Sequence, residues 1–337
     1  MLQVKNKTPF VPGIFVFPDE EGIDTLYVAV KATFQITPEG LRVAEAQQPL
    51  VPADEHWGEP GESSLKYASE AHLLKPSTDI VLMGDAYAPG GRPVPQFGVG
   101  MAVGPVKKQV LVFGDRKWDG DSPTQPIPTA RVPLRFERAF GGKHPVGQSG
   151  FLAEMRNPVG VSFRGKRRAA ELNGTPLPNL EHPEHLISSR SDTPPPHGVG
   201  YVAPSWQPRL SYAGTYDEAW QTKRAPYLPQ DFDPRFFQAA PPDQIYPGHI
   251  QGGEPVVLVN ASPVGVQRFR LPAVDLRATV RIARKKENPQ LNAETLLFEA
   301  DEERFCVLWR GAVRCDKKAL RVEEVAVRVQ SMTGVVE

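Results

Sequence analysis

The sequence predicts an all-β fold: a mainly antiparallel sandwich or distorted barrel with long Pro/Gly-rich irregular loops and at most a few short helices. Three observations lead there. Proline supplies 36 of the 337 residues, about twice its average share of roughly 5%. It lacks an amide donor and blocks helix interiors, which argues against an all-helical chain. Apolar and polar residues alternate at period two in several short runs, and turn residues separate those runs.

The clearest run is LYVAVKATFQI at 26–36. Leu26, Val28, Val30, Ala32, Phe34 and Ile36 share one face, and Tyr27, Lys31, Thr33 and Gln35 take the other, as in a half-buried strand. Pro38-Glu39-Gly40 then turns the chain toward LRV. A strand is expected at 79–87, closed by PGG. In the hairpin at 97–113, FGVGMAV and KKQVLVF flank Gly104-Pro105. Another strand follows at 131–136, closed by Gly141-Gly142. The C-terminal part is the most regular, with strands near 256–260, 267–271, 276–283, 295–299, 305–310, 312–315 and 325–329. RKKENPQLN at 284–292 is a polar turn. The strand-rich parts, 1–140 and 256–337, bracket an irregular part, 141–255. No linker divides them, so 1–337 reads as a single domain.

The irregular part is crowded with proline, glycine and histidine. Segments of this length inside a compact domain are functional or disordered. Disorder fits poorly, because Trp206, Tyr212, Tyr216, Trp220, Tyr227, Phe232, Phe236 and Phe237 need burial or a partner. A short helix is expected at 216–224 (YDEAWQTKR), where Asp217 and Glu218 suit its N-terminal end and Lys223 and Arg224 its C-terminal end.

Lys plus Arg equals Asp plus Glu, 39 against 39, so the basic excess that drives phosphate-backbone binding is missing. RGKRR at 164–168 reads as a solvated loop. The N-terminal MLQVKNKTPFVPGIFVF lacks a basic start and is broken by Pro9, Pro12 and Gly13. No run of about 18 apolar residues occurs. A soluble, cytoplasmic protein that contacts neither nucleic acid nor membrane is expected. In FCVLWRGAVRC a turn at Arg310-Gly311 pairs Cys306 with Cys315 at a close, non-hydrogen-bonded site. A disulfide is geometrically allowed there, but a reducing cytosol favours two free thiols.

Catalytic motifs fail on spacing. GVGMAVG at 98–104 lies inside a strand, and AFGGKHP at 139–145 lacks the Ser or Thr of a phosphate loop. HPEH (His182, His185) contains Pro183, which opposes the helix that would present both imidazoles, and two cysteines make no zinc quartet. No G-x-S-x-G is present. No cofactor, metal or catalytic residue is assigned. The alternative is a hydrolase, carbohydrate-active in one form, with paired carboxylates in a loop-formed cleft drawn from Glu55, Glu59, Asp217, Glu218, Asp231 and Asp233.

The stretch RLSYAGTYDEAWQTKRAPYLPQDFDPRFFQAAPPDQ (209–244) suits contact more than reaction. Aromatic rings give large contact area at low entropic cost, and repeated X-Pro steps hold the backbone extended. A plainer reading has the rings plug the end of the β core while Arg235 caps carbonyls. The candidate partner-contacting residues are Trp206, Tyr216, Trp220, Arg224, Arg235 and Phe237, with Trp57 and Arg138 as outlying members.

Several long segments, in order, resemble the domain of unknown function 2169 family. They are MLQVKNKTPFVPGIFVFPDEEGIDTLYVAVKATF, WGEPGESSLKYASEAHLLKPSTDIVLMGDAYAPGGRPV, RFERAFGG, NPVG, LPNLE and APSWQPRLSYAGTYDEAWQTKRAPYLPQDFDPRFFQAAPPDQ. The likeness runs from Met1 to about Leu271. It implies an adaptor, or effector chaperone, of a bacterial type VI secretion system. Such a protein would bind a PAAR-like toxic effector in the cytoplasm and help load it onto the VgrG spike. No functional residues come with the resemblance.

Overall fold

A computed structural model describes residues 3–147, 150–316 and 319–336. Three sheets dominate it, of six, five and four strands. In chain order their strands are β1 (Gln3–Lys7), β2 (Val11–Pro18), β3 (Asp24–Thr37), β4 (Gly40–Val43), β5 (Asp79–Met83), β6 (Gln96–Val103), β7 (Val106–Phe113) and β8 (Leu180–Glu181). From the C-terminal part come β9 (Pro255–Val259), β10 (Val266–Arg270), β11 (Ala273–Ile282), β12 (Lys285–Glu287), β13 (Asn292–Glu299), β14 (Arg304–Arg314) and β15 (Val322–Thr333).

The central sheet has the order β2-β3-β14-β13-β5, with β4 also on β3. The others run β8-β7-β6-β9-β10 and β1-β15-β11-β12. Within these three sheets pairing is antiparallel except for β5 on β13 and β1 on β15. None is closed, so the fold is all-β with open sheets and no barrel. The ends of the sequence meet at its centre, where β3 pairs with β14 from Gln35↔Arg304 to Thr25↔Arg314. Among the described residues no helix is long and apolar enough to cross a membrane.

Period-two alternation sorts the core as expected. Leu26, Val28, Val30, Ala32 and Phe34 of β3 are fully buried. They join Ile80, Leu82, Phe298 and Phe305, and Val103, Leu258, Val280 and Val325 from the other two sheets, in one cluster. The 97–113 hairpin forms as read, with Val103 opposite Val106 and Gly104 at φ +54°. The expected strand at 79–87 is two strands, because the chain breaks at Gly84 (φ +124°) and Asp85–Tyr87 turns away to pair with Arg131–Pro133.

Two expectations are corrected. The 305–315 hairpin does not form: β14 is one strand that runs through Arg310 and Gly311. Gly311 is needed for clearance, since a Cβ there would sit 2.4 Å from the Gln290 carbonyl oxygen. Cys306 and Cys315 are free and buried. They stand at opposite ends of an extended run, about 30 Å apart at roughly 3.3 Å per residue, so no bridge joins them.

The second correction concerns the outer face of β3. Tyr27, Lys31 and Thr33 face protein, not water: Lys31 donates to the Pro49 carbonyl, Gln47 and Gln48 bond Thr33, Tyr27 stacks on Phe17, and none of the three is more than 3% exposed. Val81, Met83, Leu297 and Cys306 form the apolar part of this second interface with Phe136, Tyr201, Trp206 and Ala240. The rest is charged. Lys31 pairs with Glu70 at 2.8 Å and Lys75 with Asp79 at 2.7 Å. Arg310 lies 3.7 Å from Glu294 and donates to His72 Nδ1 at 2.6 Å. Asp79 also accepts the Ala239 N–H at 2.7 Å, and Gln244 donates to the Ile80 carbonyl at 2.8 Å, so the irregular part is tied to the sheet. Burial raises the Glu294 carboxyl to about 7 against the pull of Arg310 and Lys75, and burial beside Arg310 holds His72 well below 6.5.

Removing one partner from such a layer strands a charge, at a cost of about 3–5 kcal/mol, whereas exchanging a whole pair for apolar residues is close to neutral. Arg310→Met alone should therefore lose about 3–5 kcal/mol in urea unfolding. Adding Glu294→Leu should restore most of it. Equal loss in the single and double variants would show that Arg310 acts through packing alone.

Candidate partner-binding site

Residues 209–237 form a lobe beside the β2–β3 hairpin. Its helix, α1 (Glu218–Lys223), starts where Asp217 accepts the Trp220 N–H at 2.8 Å, and it holds Lys223 in its last turn. This is the charge order that the helix dipole favours. Tyr216 packs edge-on against Trp220 with centroids 4.7 Å apart, and the Trp220 indole donates to the Tyr227 carbonyl at 2.8 Å. Asp231 ties down the other strand of the loop by accepting both the N–H (2.9 Å) and the hydroxyl (2.7 Å) of Thr215, which hold its carboxyl below the usual range.

The lobe docks on the tip of the β2–β3 hairpin. The Tyr227 ring lies over Gly22, whose φ of +85° and missing side chain permit the contact. Arg224 donates to the Leu228 carbonyl at 2.8 Å and to the Glu20 carbonyl. Between hairpin and helix opens a cleft of about 970 Å³, lined by Glu20, Glu21, Asp217, Trp220, Lys223 and Asp231 among others. Tyr216 (54% exposed) and Tyr227 (41%) stand at the surface of the lobe.

The sequence-selected residues separate in space. Trp220 and Arg224 line the cleft, and Tyr216 packs on Trp220 beside it. Arg224 is half-buried, and its guanidinium is occupied by carbonyls, so it is a clamp and not a free cation. Trp206 is 4% exposed and packs edge-on against Phe136, which corrects its assignment to a contact surface: it belongs to the scaffold. Phe237 is half-buried, stacked on His72 at 5.4 Å and packed against Phe232 and Phe236, and so connects the lobe to the buried charge layer. Arg235 is exposed, pairs with its own cap Asp233 at 2.5 Å and lies over the Tyr212 ring. Trp57 lies elsewhere, under the Arg135 guanidinium at 3.6 Å. Arg138 reaches Asn179 at 3.2 Å on a separate cavity of about 200 Å³. Glu20 and Glu21 were missed, and Tyr227, named among the rings that need burial or a partner, was not included in the contact set. The acidic turn PDEEGID carried the only signal for the first two.

Three of the six carboxylates proposed for hydrolysis are held by their own loops. Asp217 caps α1, Asp231 binds Thr215, and Asp233 caps a 3₁₀ turn and bonds Arg235, which lowers its pKa. The histidines of HPEH do meet: His182 lies 4.8 Å from His185 and 4.6 Å from His197, ring to ring. Among the described residues no group of three or more His, Cys, Asp or Glu is placed to hold a metal ion. His197 Nε2 donates to the Gln109 carbonyl at 2.7 Å, and burial beside Lys108 lowers its pKa from 6.5 to about 4.

A family profile described as an uncharacterized protein conserved in bacteria, DUF2169, matches residues 21–310. The chain belongs to that family. No curated protein and no solved structure matches it significantly. The DUF2169 match spans the whole lobe and the central sheet from β3 to Arg310 of β14, and leaves out β2 and β15.

Two tests follow from this geometry. Charge-assisted bonds are worth about 1.5–3 kcal/mol, so Arg224→Ala should lower unfolding stability by about 1–3 kcal/mol, while Arg235→Ala should leave the melting temperature unchanged. Equal melting temperatures for both variants would remove the clamp. The second test concerns pH. His197 stays neutral when folded but protonates near 6.5 when unfolded, so the unfolded chain binds the extra proton below that pH. Stability from this residue is whole above pH 6.5 and is lost as pH falls toward 4, on the order of 3 kcal/mol in all. The wild type should lose that much more than His197→Gln across the window. Parallel stability curves would refute it.

Proposed function

We propose that this DUF2169 protein is a non-enzymatic adaptor, or effector chaperone, of a bacterial type VI secretion system. On this reading it works in the cytoplasm, holds a PAAR-like effector and helps load it onto VgrG. The observation that carries the reading is the cleft at the α1 lobe. The half-buried Trp220 ring, Lys223 and an acidic hairpin tip line about 970 Å³ of open space, and the exposed rings of Tyr216 and Tyr227 stand on the same lobe. Interface anchors are rich in Tyr, Trp and Arg, and surfaces that change little on binding lose little entropy. The lobe has both qualities: Tyr216 and Tyr227 present rings, and Asp231, Arg224 and Trp220 fix the loop that carries them. The sequence resemblance to secretion adaptors supplies the class of partner.

Co-expression with a PAAR-like effector is the direct test. The effector should co-purify with the wild type. Tyr216→Ala combined with Lys223→Glu should weaken the complex about thirtyfold, the roughly 2 kcal/mol of a single interface hot spot, with the fold intact. Effector secretion should stop when the gene is deleted. Unchanged secretion after deletion would defeat the adaptor reading; unchanged binding by the double variant would move the contact away from the lobe.

A further inference from the structure

The four-stranded sheet has a gap in its last lane. β12 pairs only with the end of β11, through Val280↔Glu287, Arg281↔Lys286 and Ile282↔Lys285. From Ala273 to Thr279, β11 is paired with β15 on one side, and among the described residues no strand pairs with it on the other. The chain leaves the lane at Asn288, whose side chain accepts from the Thr279 hydroxyl at 2.9 Å, and Pro289 has no amide to offer the edge. It then crosses to the central sheet. The result is a groove of about 1050 Å³ lined by β11 from Ala273 to Thr279, by the departing segment at 288–291 and, across β11, by Arg328, Gln330, Ser331 and Thr333 of β15.

The register identifies which backbone groups face this groove. Ala283 and Arg284, both at positive φ, make a two-residue turn, so Ile282 and Lys285 are its closing hydrogen-bonded pair. Direction alternates along a strand. Val280 therefore points its N–H and C=O toward β12, and Leu276 and Ala278 point theirs the same way, into the gap. The Ala283 N–H bonds in the opposite direction, to the Arg321 carbonyl at 3.1 Å, in keeping with this phase. The open edge is seven residues long, roughly 23 Å at about 3.3 Å each. Free edges of this kind are what extended peptides add to.

Charge selects the occupant. Lys7, Arg328 and Arg277 stand directly opposite one another across β1, β15 and β11, in one row on the outer face. Asp275 neutralises Arg277 at 2.8 Å. Among the described residues Lys7 and Arg328 have no carboxylate within ion-pair distance, while the neighbouring Lys5 and Arg281 share Glu324. Like charges directly opposite each other are unfavourable, and an incoming carboxylate beside Arg277 relieves that. The β11 of a second copy would arrive flanked by its own β15 and its own 288–291 segment, whereas an extended peptide arrives alone.

We propose that this groove takes an extended, acidic peptide segment as an added strand on β11. The segment bonds to the backbone of Leu276 and Ala278 and sets carboxylates against Arg277 and Arg328. The proposal rests on the adaptor reading only for the source of the segment, which is then a stretch of the client.

The test uses the full chain and a synthetic peptide that alternates valine with glutamate, beside the same peptide with lysine for glutamate. Amide hydrogen exchange is followed at 273–279. The glutamate peptide should slow exchange at Leu276 and Ala278 at least tenfold, and Arg328→Glu should weaken it at least tenfold without changing the fold. The lysine peptide should protect neither amide. Protection by neither peptide, or by both alike, overturns the proposal. So does protection of these amides in the free protein with a concentration-dependent dimer, which would give the edge to a second copy. None of these results depends on whether the PAAR-like effector co-purifies, so the two readings fail separately.

Discussion

The structure depends on a layer of charge between the central sheet and the segments laid over it, 70–75 above all and the 239–244 stretch of the irregular part. Lys31, Lys75, Asp79, Glu294 and Arg310 have lost nearly all contact with water. Ions in that position are costly unless each is met by a partner at good geometry. The sheet supplies some of these partners; the segment at 70–75 and the 239 amide supply the others. An apolar interface would accept many placements of a loop-rich layer, since greasy contacts are not directional. Ion pairs at 2.7–2.8 Å and a carboxylate that accepts a specific amide accept few. The irregular part thereby becomes a fixed layer despite having almost no regular hydrogen-bonded structure of its own.

Order passes outward from this layer to the lobe. His72 bonds Arg310 on one side and stacks on Phe237 on the other, and Phe237 packs against Phe232 and Phe236. Arg209, buried, binds the carbonyls of Val202 and Phe236 and closes the base of the lobe. Above it, Asp231 and Arg224 hold the loop ends. A surface supported in this way meets a partner with little left to order, which is where preorganisation contributes affinity. The same argument explains why Trp206 and Phe237 face inward: a lobe that displays some rings needs others beneath it.

Much of this was legible in the sequence, and what was not has definable causes. The alternation in β3 placed Leu26 to Phe34 in the core. It could not show that Lys31 and Thr33 also face protein, because a polar residue that meets an ion partner leaves the same pattern as one that meets water. Arg310-Gly311 resembled a turn because glycine after a charged residue is common there. Its actual cause, the Gln290 carbonyl, lies across a strand and has no local signature. The short helix was readable because capping is local, and Asp217 and Lys223 sit at its two ends. Burial of individual rings was not readable, since Trp206 and Trp220 occur in similar proline-rich surroundings and differ only in what the fold lays over them.

A net charge of zero also hides an uneven distribution. The hairpin tip at the lobe carries Glu20 and Glu21, while the outer face of the four-stranded sheet carries the row Lys7, Arg328 and Arg277. Salt screens exposed charges beyond about 8–10 Å, so each patch acts locally and the neutral total tells a partner nothing. For a protein proposed to hold a client and then hand it on, such separation is useful. Two modest contacts on one chain reinforce each other through effective concentration, which can raise overall binding by about 10²–10⁴ without a new bond. Each contact taken alone stays weak enough to release. A single tight site offers no comparable way to let go in steps.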